Sequence, residues 1–308
     1  MQHDDAISLR VPVPREADRS VDDRVPVEPD RPGRVAGWLP LLPLALFLAL
    51  ALLGPWLVPM SPDKQDLLNR LQPPAWAGGT WDHPLGTDGL GRDLLARLAQ
   101  GARFSLGVGL IATFNAAVVG VLLGALSGLV GGALDRVVTA FVTVAMAIPG
   151  IVIGIVVTAA LGQGLVNLLI ILLLGGWIIY ARIVRLQAQA IARSEFVSAA
   201  TALGGSRWHI VRWHMLPNLW PTVMVLLAQG VAAVMVYEAT LTYLGLGLSI
   251  ETVTLGSLVR EGQQVLFSAW WVGFFPGAAI ALAIVGFNFA ADWAQARMRM
   301  EQSTDAYL

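Results

Sequence analysis

The sequence predicts an all-α polytopic membrane protein with six transmembrane helices. Two observations carry that reading. The chain is 56% hydrophobic and only 13% charged, where a soluble domain carries about a quarter charged residues. Apolar runs of 18 residues or more also recur along it, each long enough to cross about 30 Å of hydrocarbon as a helix.

Taken in order, residues 1–37 mix Asp, Arg, Pro and Val without periodicity and hold six Arg against eight acidic residues. That composition predicts a disordered tail. Residues 38–59 (WLPLLPLALFLALALLGPWLVP) form the first crossing. The run is too long for a signal-peptide core, and no small-residue cleavage site follows it. Residues 60–103 are polar and turn-rich, with Pro-Pro and Gly-Gly pairs. Within them Leu90, Leu94, Leu95 and Leu98 recur at helical spacing, predicting an amphipathic surface helix over 88–103.

Apolar runs at about 104–131, 137–160, 165–184, 219–244 and 270–291 complete the six spans. In the second span Ala112, Ala116, Gly120, Gly124, Gly128 and Gly132 recur every fourth residue. Such a stripe lets another helix approach closely, because no side chain holds the backbones apart; Gly120, Gly124 and Gly128 are its helix-packing centre. Residues 244–269 read as a loop or short helix, and 294–308 as a terminal tail. With the N-terminus inside, 14 of the 20 Lys and Arg fall on inner segments and 6 on outer ones. This bias places both termini and residues 185–218 in the cytoplasm.

Several classes of chemistry are excluded. A net charge of −1 gives no field for nucleic acid, and the absence of cysteine removes disulfides, thiolate metal sites and cysteine nucleophiles. His3, His83, His209 and His214 show no metal-ligand spacing. The single lysine, Lys64, lies in SPDKQ, so the chain has no G-x-x-x-x-G-K-[ST] phosphate loop. Any nucleotide chemistry belongs to another subunit, and no catalytic residue is assigned.

The informative departure is SEFVSAATALGGSRWHIVRWHMLPN, residues 194–218, a polar segment between two apolar runs. Ser194 is placed to cap a helix, with Glu195 in its first turn, where a negative charge suits the dipole. Phe196, Ala199, Ala200 and Leu203 fall on one face, and Gly204-Gly205 ends the helix. Ser206 is placed to cap a second short helix in which Trp208, Val211 and Met215 share a face, ended by Pro217. The pair forms a helix–turn–helix joined to spans on both sides, with no nucleophile–base pair. Such a piece transmits position rather than chemistry.

This segment resembles the coupling ("EAA") loop of permease subunits in bacterial ABC importers: Ser198-Ala199-Ala200, then Gly204, then Met215-Leu216-Pro217. Ser198 stands where the family has Glu. HPLGTDGLGRDLLARLAQGARFSLGVGL (83–110), EATLTYLGLG (238–247) and FFPGAAIALAIVGFNFAADW (274–293) resemble the dipeptide/oligopeptide branch, in particular its C-type permease. The SIETVTLGSL stretch after LGLG departs from that branch. The resemblance implies a type I importer permease fold with its core at 104–293 and coupling helices at 192–217. It implies a second, homologous permease, two ATPase subunits carrying ATP and Mg, an extracytoplasmic binding protein, and residence in the bacterial cytoplasmic membrane. Glu195, Ser198, Ala199, Ala200, Gly204, Arg207, Leu216 and Pro217 then become the ATPase-coupling set.

Polar groups inside spans are costly, about 2.5–3.5 kcal/mol for a charge on insertion scales. Glu238, Asn115 and Gln229 are therefore candidates for the pathway or the interface between permeases. The branch carries peptides and also metal chelates, haem, sugars and glutathione. A stand-alone secondary transporter is the competing class; it predicts paired intramembrane acids in two related halves, and Glu238 is the single candidate acid.

Overall fold

The computed structural model describes residues 38–305, apart from positions 203, 205, 207, 208, 210 and 250 and the side chains at 196, 199–201, 214 and 299–305. The predicted tail at 1–37 and Arg207 lie outside the described residues. Among the described residues there are helices and no strands.

The first crossing, α1 (Leu39–Leu57), carries a π-helical segment at Ala49–Leu53 ahead of Pro55. α2 runs unbroken from Leu94 to Val130. Asp93 starts it, its Oδ1 accepting the Ala96 N–H at 2.7 Å, which satisfies one of the free donors of the first turn. Gly131, at φ 64°, ends it. At about 1.5 Å per residue these 37 residues span about 55 Å, well beyond the hydrocarbon thickness. The surface helix and the second span are therefore one rod. Leu94 and Leu98, which suggested a separate amphipathic helix, are buried in the fold. That helix begins at Leu94 rather than 88, because the chain before it is pinned in turns by Asp88.

The third crossing is broken. α3 (Gly132–Ala147) and α4 (Gly150–Leu161) meet at 84°. Pro149 follows Ile148, whose extended backbone (φ −94°, ψ 118°) is what a residue before proline adopts. Among the described residues five helices are long and apolar enough to cross a membrane alone, and six crossings result when the bent pair counts as one. α5 (Leu165–Ala192), α6 (Glu195–Ala202), α7 (Leu216–Tyr243), α8 (Leu255–Gln264) and α9 (Trp271–Asp305) complete the chain.

α2 and α5 form the central pair. A Cβ on Gly120 would lie 2.5 Å from the Tyr180 Cβ, and one on Gly124 2.6 Å from the Ala181 carbonyl oxygen. One on Gly128 would lie 2.6 Å from the Ala188 Cβ. At the same end Asp135 accepts from Ser127 Oγ (2.7 Å), Arg185 Nε (2.5 Å) and Arg185 Nη2 (2.7 Å), tying the α2–α3 turn to α5. α9 packs on α1, α7 and α8, with Phe47, Leu98, Met235, Leu258 and Ala283 in the shared core.

Candidate functional site

The segment between α5 and α7 has an inner and an outer side. Val197, Met215 and Leu219 are buried, the last two joining Val184 and Ala188 of α5 in one cluster. Glu195, Ser198, Gly204, Arg212, Trp213, Leu216 and Pro217 are exposed. Gly204 has φ +83°, and among the described residues nothing lies within 4 Å of its Cβ position. A left-handed turn there lets the chain double back, and a side chain would be strained by backbone conformation rather than by crowding. Ser206 Oγ accepts the His209 N–H at 3.2 Å, as an N-cap does. Ser194 acts differently: its hydroxyl donates to the Ile191 carbonyl at 2.6 Å. The Ser198 hydroxyl also bonds locally, donating to the Ser194 carbonyl at 3.2 Å.

Two details depart from the sequence reading of this segment. Pro217 does not stop a separate helix. Residues Val211–Met215 form a π-helical turn that runs straight into α7, and Pro217 sits in the first turn of α7. Met215 then continues the buried stripe of α7 and faces the chain's own core. Among the described side chains of the segment Trp213 is an exposed aromatic, 61% exposed, with the Arg212 guanidinium 5.8 Å from its ring centre. Its signal was its place two residues from Met215, hence off that inner face. The side chains of Ala199 and Ala200 lie outside the described residues.

The pathway candidates separate. Asn115 on α2 and Gln229 on α7 are exposed on the helix bundle, whereas Glu238 is fully buried within it. Glu238 Oε2 accepts from Ser105 Oγ of α2 (3.1 Å), and Oε1 accepts from Thr242 Oγ1 one turn on (3.0 Å). Ser105 Oγ also accepts the backbone N–H of Leu255 (3.2 Å), the first residue of α8. One carboxylate thus joins α2, α7 and the start of α8. Glu238→Ala, which strips the acceptor from two buried hydroxyls, is expected to cost about 2–3 kcal/mol. Glu238→Gln keeps one acceptor and should cost less. Thermal midpoints of the detergent-solubilised protein check the order.

The other end of α8 is held by a cluster that sequence reasoning missed. Arg97, 2% exposed, donates from Nη1 to Asp88 Oδ2 (2.6 Å) and Glu261 Oε2 (2.5 Å) and from Nη2 to Glu261 Oε1 (3.0 Å). Arg92 reaches the same two acids at 2.7 and 3.2 Å. An Arg three residues beyond Leu94, on a buried stripe, was the available signal.

No group of His, Asp or Glu among the described residues is arranged to hold a metal ion. The geometry is that of a helical bundle with an exposed elbow between α5 and α7 and an ion-paired brace at α8.

Comparison with known proteins agrees. Residues 120–300 match the family described as binding-protein-dependent transport system inner membrane component. The chain is 35% identical over 249 residues to the "Probable D,D-dipeptide transport system permease protein DdpC" of Escherichia coli K12, covering 81% of this chain and 82% of that one. It is 33% identical to the dipeptide transport system permease protein DppC of Bacillus subtilis 168 (82% and 78% covered). It is 30% identical to the nickel transport system permease protein NikC of Escherichia coli K12 (82% and 90%). Taken with the helical architecture, these matches place the chain in the family of binding-protein-dependent inner membrane components, as an ABC importer permease of the dipeptide/nickel group.

Proposed function

We propose that this chain is one of two homologous permeases forming the pathway of a di- or oligopeptide importer. Separate ATPase subunits hold ATP and Mg, an extracytoplasmic binding protein delivers the solute, and both termini face the cytoplasm. The observation that carries this is the elbow between α5 and α7. Its exposed strip (Glu195, Ser198, Gly204, Leu216, Pro217) backs onto buried Val197 and Met215, so a push on it is passed to two spans together. Ala199, Ala200 and Arg207 belong to the same coupling set. ATP-driven closure of the ATPases moves that strip, and the helices reorient. The peptide assignment follows the names of the dipeptide permeases above. The NikC relative supports a second reading, import of a nickel chelate; uptake of labelled dialanine against labelled nickel by the reconstituted system decides between them.

Gly204→Val tests the coupling. A β-branched residue at φ +83° is strained by about 1–2 kcal/mol and remodels the turn without touching the bundle. The variant should insert and assemble normally, hydrolyse ATP, and lose at least tenfold in uptake. Normal uptake would contradict the coupling role.

A further inference from the structure

Around α8, at the end of the bundle that the arginine bias assigns to the outside, four segments converge on a half-open groove of about 570 Å³. Its walls come from the 60–93 loop, the end of α7 with the turn after it, α8, and the start of α9. The groove is built rather than incidental. Gly245, at φ +78°, turns the chain at the end of α7, with Leu246 N–H bonding Leu241 O (2.8 Å) and Gly245 N–H bonding Thr242 O (3.0 Å). This is the double-bonded glycine stop of a helix C-terminus. It also seats the Arg260 guanidinium: a Cβ at Gly245 would lie 3.1 Å from Arg260 Nη1. Thr254 and Ser257 exchange hydrogen bonds at 2.9 and 3.1 Å in a capping box that fixes the start of α8.

The charges lining the groove divide into two groups. Arg92 and Glu261 are spent on each other and on the Arg97–Asp88 cluster. The side chains of Arg70, Arg260 and Glu251 also line it, and none of these three makes a hydrogen bond or ion pair among the described residues. Two free cations and one free anion thus share a concave site large enough for a short peptide. Guanidinium groups match a carboxylate by two parallel N–H···O bonds, and a carboxylate matches an ammonium.

We propose that this groove is a low-affinity receiving site for a zwitterionic short peptide. Its terminal carboxylate lies against Arg260 and Arg70, and its α-ammonium lies against Glu251. This deepens the peptide reading above and rests on it. Weak binding is what a conduit needs: a solute held tightly at the mouth would not move on. The neutral walls of the groove (Leu90, Leu248, Val272) tolerate different side chains, while the two charged poles select for free termini.

The test uses the assembled complex in nanodiscs without its binding protein, with dialanine as probe at millimolar concentration, read by saturation-transfer NMR. Wild type should show transfer to dialanine, reduced fivefold or more in Arg260→Gln and in Glu251→Gln. Both residues are exposed, so the variants should fold, which size-exclusion profiles verify. N-acetyl-dialanine should retain sensitivity to Arg260→Gln alone, and dialanine amide to Glu251→Gln alone. No transfer in wild type, or transfer indifferent to both substitutions, overturns the site. So do variants that keep full transfer but weaken capture of the binding protein, since the groove would then be a seat for that protein's side chains. Dialanine uptake by the complete system is measured in parallel. Absent uptake refutes the peptide reading itself, whereas intact uptake without binding refutes only the groove.

Discussion

Arg97→Met is expected to destabilise the folded chain by about 3–5 kcal/mol, the range seen when one member of a buried ion pair is removed. The side chain is 2% exposed and Asp88 is 1% exposed, so neither is helped by water when its partner goes. Methionine replaces the volume but not the three donor contacts to Asp88 and Glu261. Asp88 keeps Arg92 Nε at 2.7 Å and the N–H groups of Leu90 and Arg92, which argues for the lower half of the range. Glu261, 29% exposed, recovers part of its hydration; Glu261→Gln should therefore cost only about 1 kcal/mol. Combining Arg97→Met with Asp88→Asn should cost less than the two single changes added together, because the charge left stranded by the first is removed by the second. Thermal midpoints of the purified complex, read by tryptophan fluorescence, give all three comparisons. An Arg97→Met midpoint equal to that of wild type would mean the cluster braces nothing.

The contrast between this cluster and the membrane spans shows what a sequence displays. Span length is imposed by the bilayer, so a run such as 165–184 announces α5 by itself. Where a rod leaves the hydrocarbon is not announced: hydropathy falls at about residue 104, yet the backbone of α2 is helical back to Leu94, since helical bonding does not depend on side-chain polarity. The break in the third crossing was written in Ile148-Pro149, but an averaged apolar run conceals it. Glu238 was conspicuous as an acid in an apolar segment, and Thr242 one turn away was a legible partner. Ser105, 133 residues distant, was not, nor was the pairing of Arg97 with Glu261 across 164 residues. Long-range polar pairing depends on tertiary approach, and nothing in a local window encodes it. At the elbow the glycine turn was legible, whereas the inward facing of Met215 required knowing that its helix continues into α7.

Gly124→Leu is expected to be severely damaging to the α2–α5 seam, costing about 3 kcal/mol or more, at or beyond the upper end for overpacking. The obstacle at this position is backbone. A Cβ there would sit 2.6 Å from the Ala181 carbonyl oxygen and 3.0 Å from the Arg185 amide nitrogen, and neither atom can swing aside as a side-chain end would. The two helices must separate, and separation loosens the contacts around Val184, Ala188 and Met215, all 0% exposed. In a bilayer the hydrophobic effect does little to hold helices together once dispersion contacts are lost, because lipid is as apolar as leucine. The Asp135–Arg185 pair at the same end would also be stretched from its 2.5–2.7 Å geometry. Gly175→Ala on α5 is the matched control. Nothing lies within 4 Å of its Cβ position, and alanine is the better helix former by about 0.8–1 kcal/mol, so that variant should equal or exceed wild type. Gly124→Ala should fall between the two. Membrane abundance and thermal midpoint across the three variants measure the seam directly, and a Gly124→Leu protein as stable as Gly175→Ala would show that α2 and α5 are not in backbone contact.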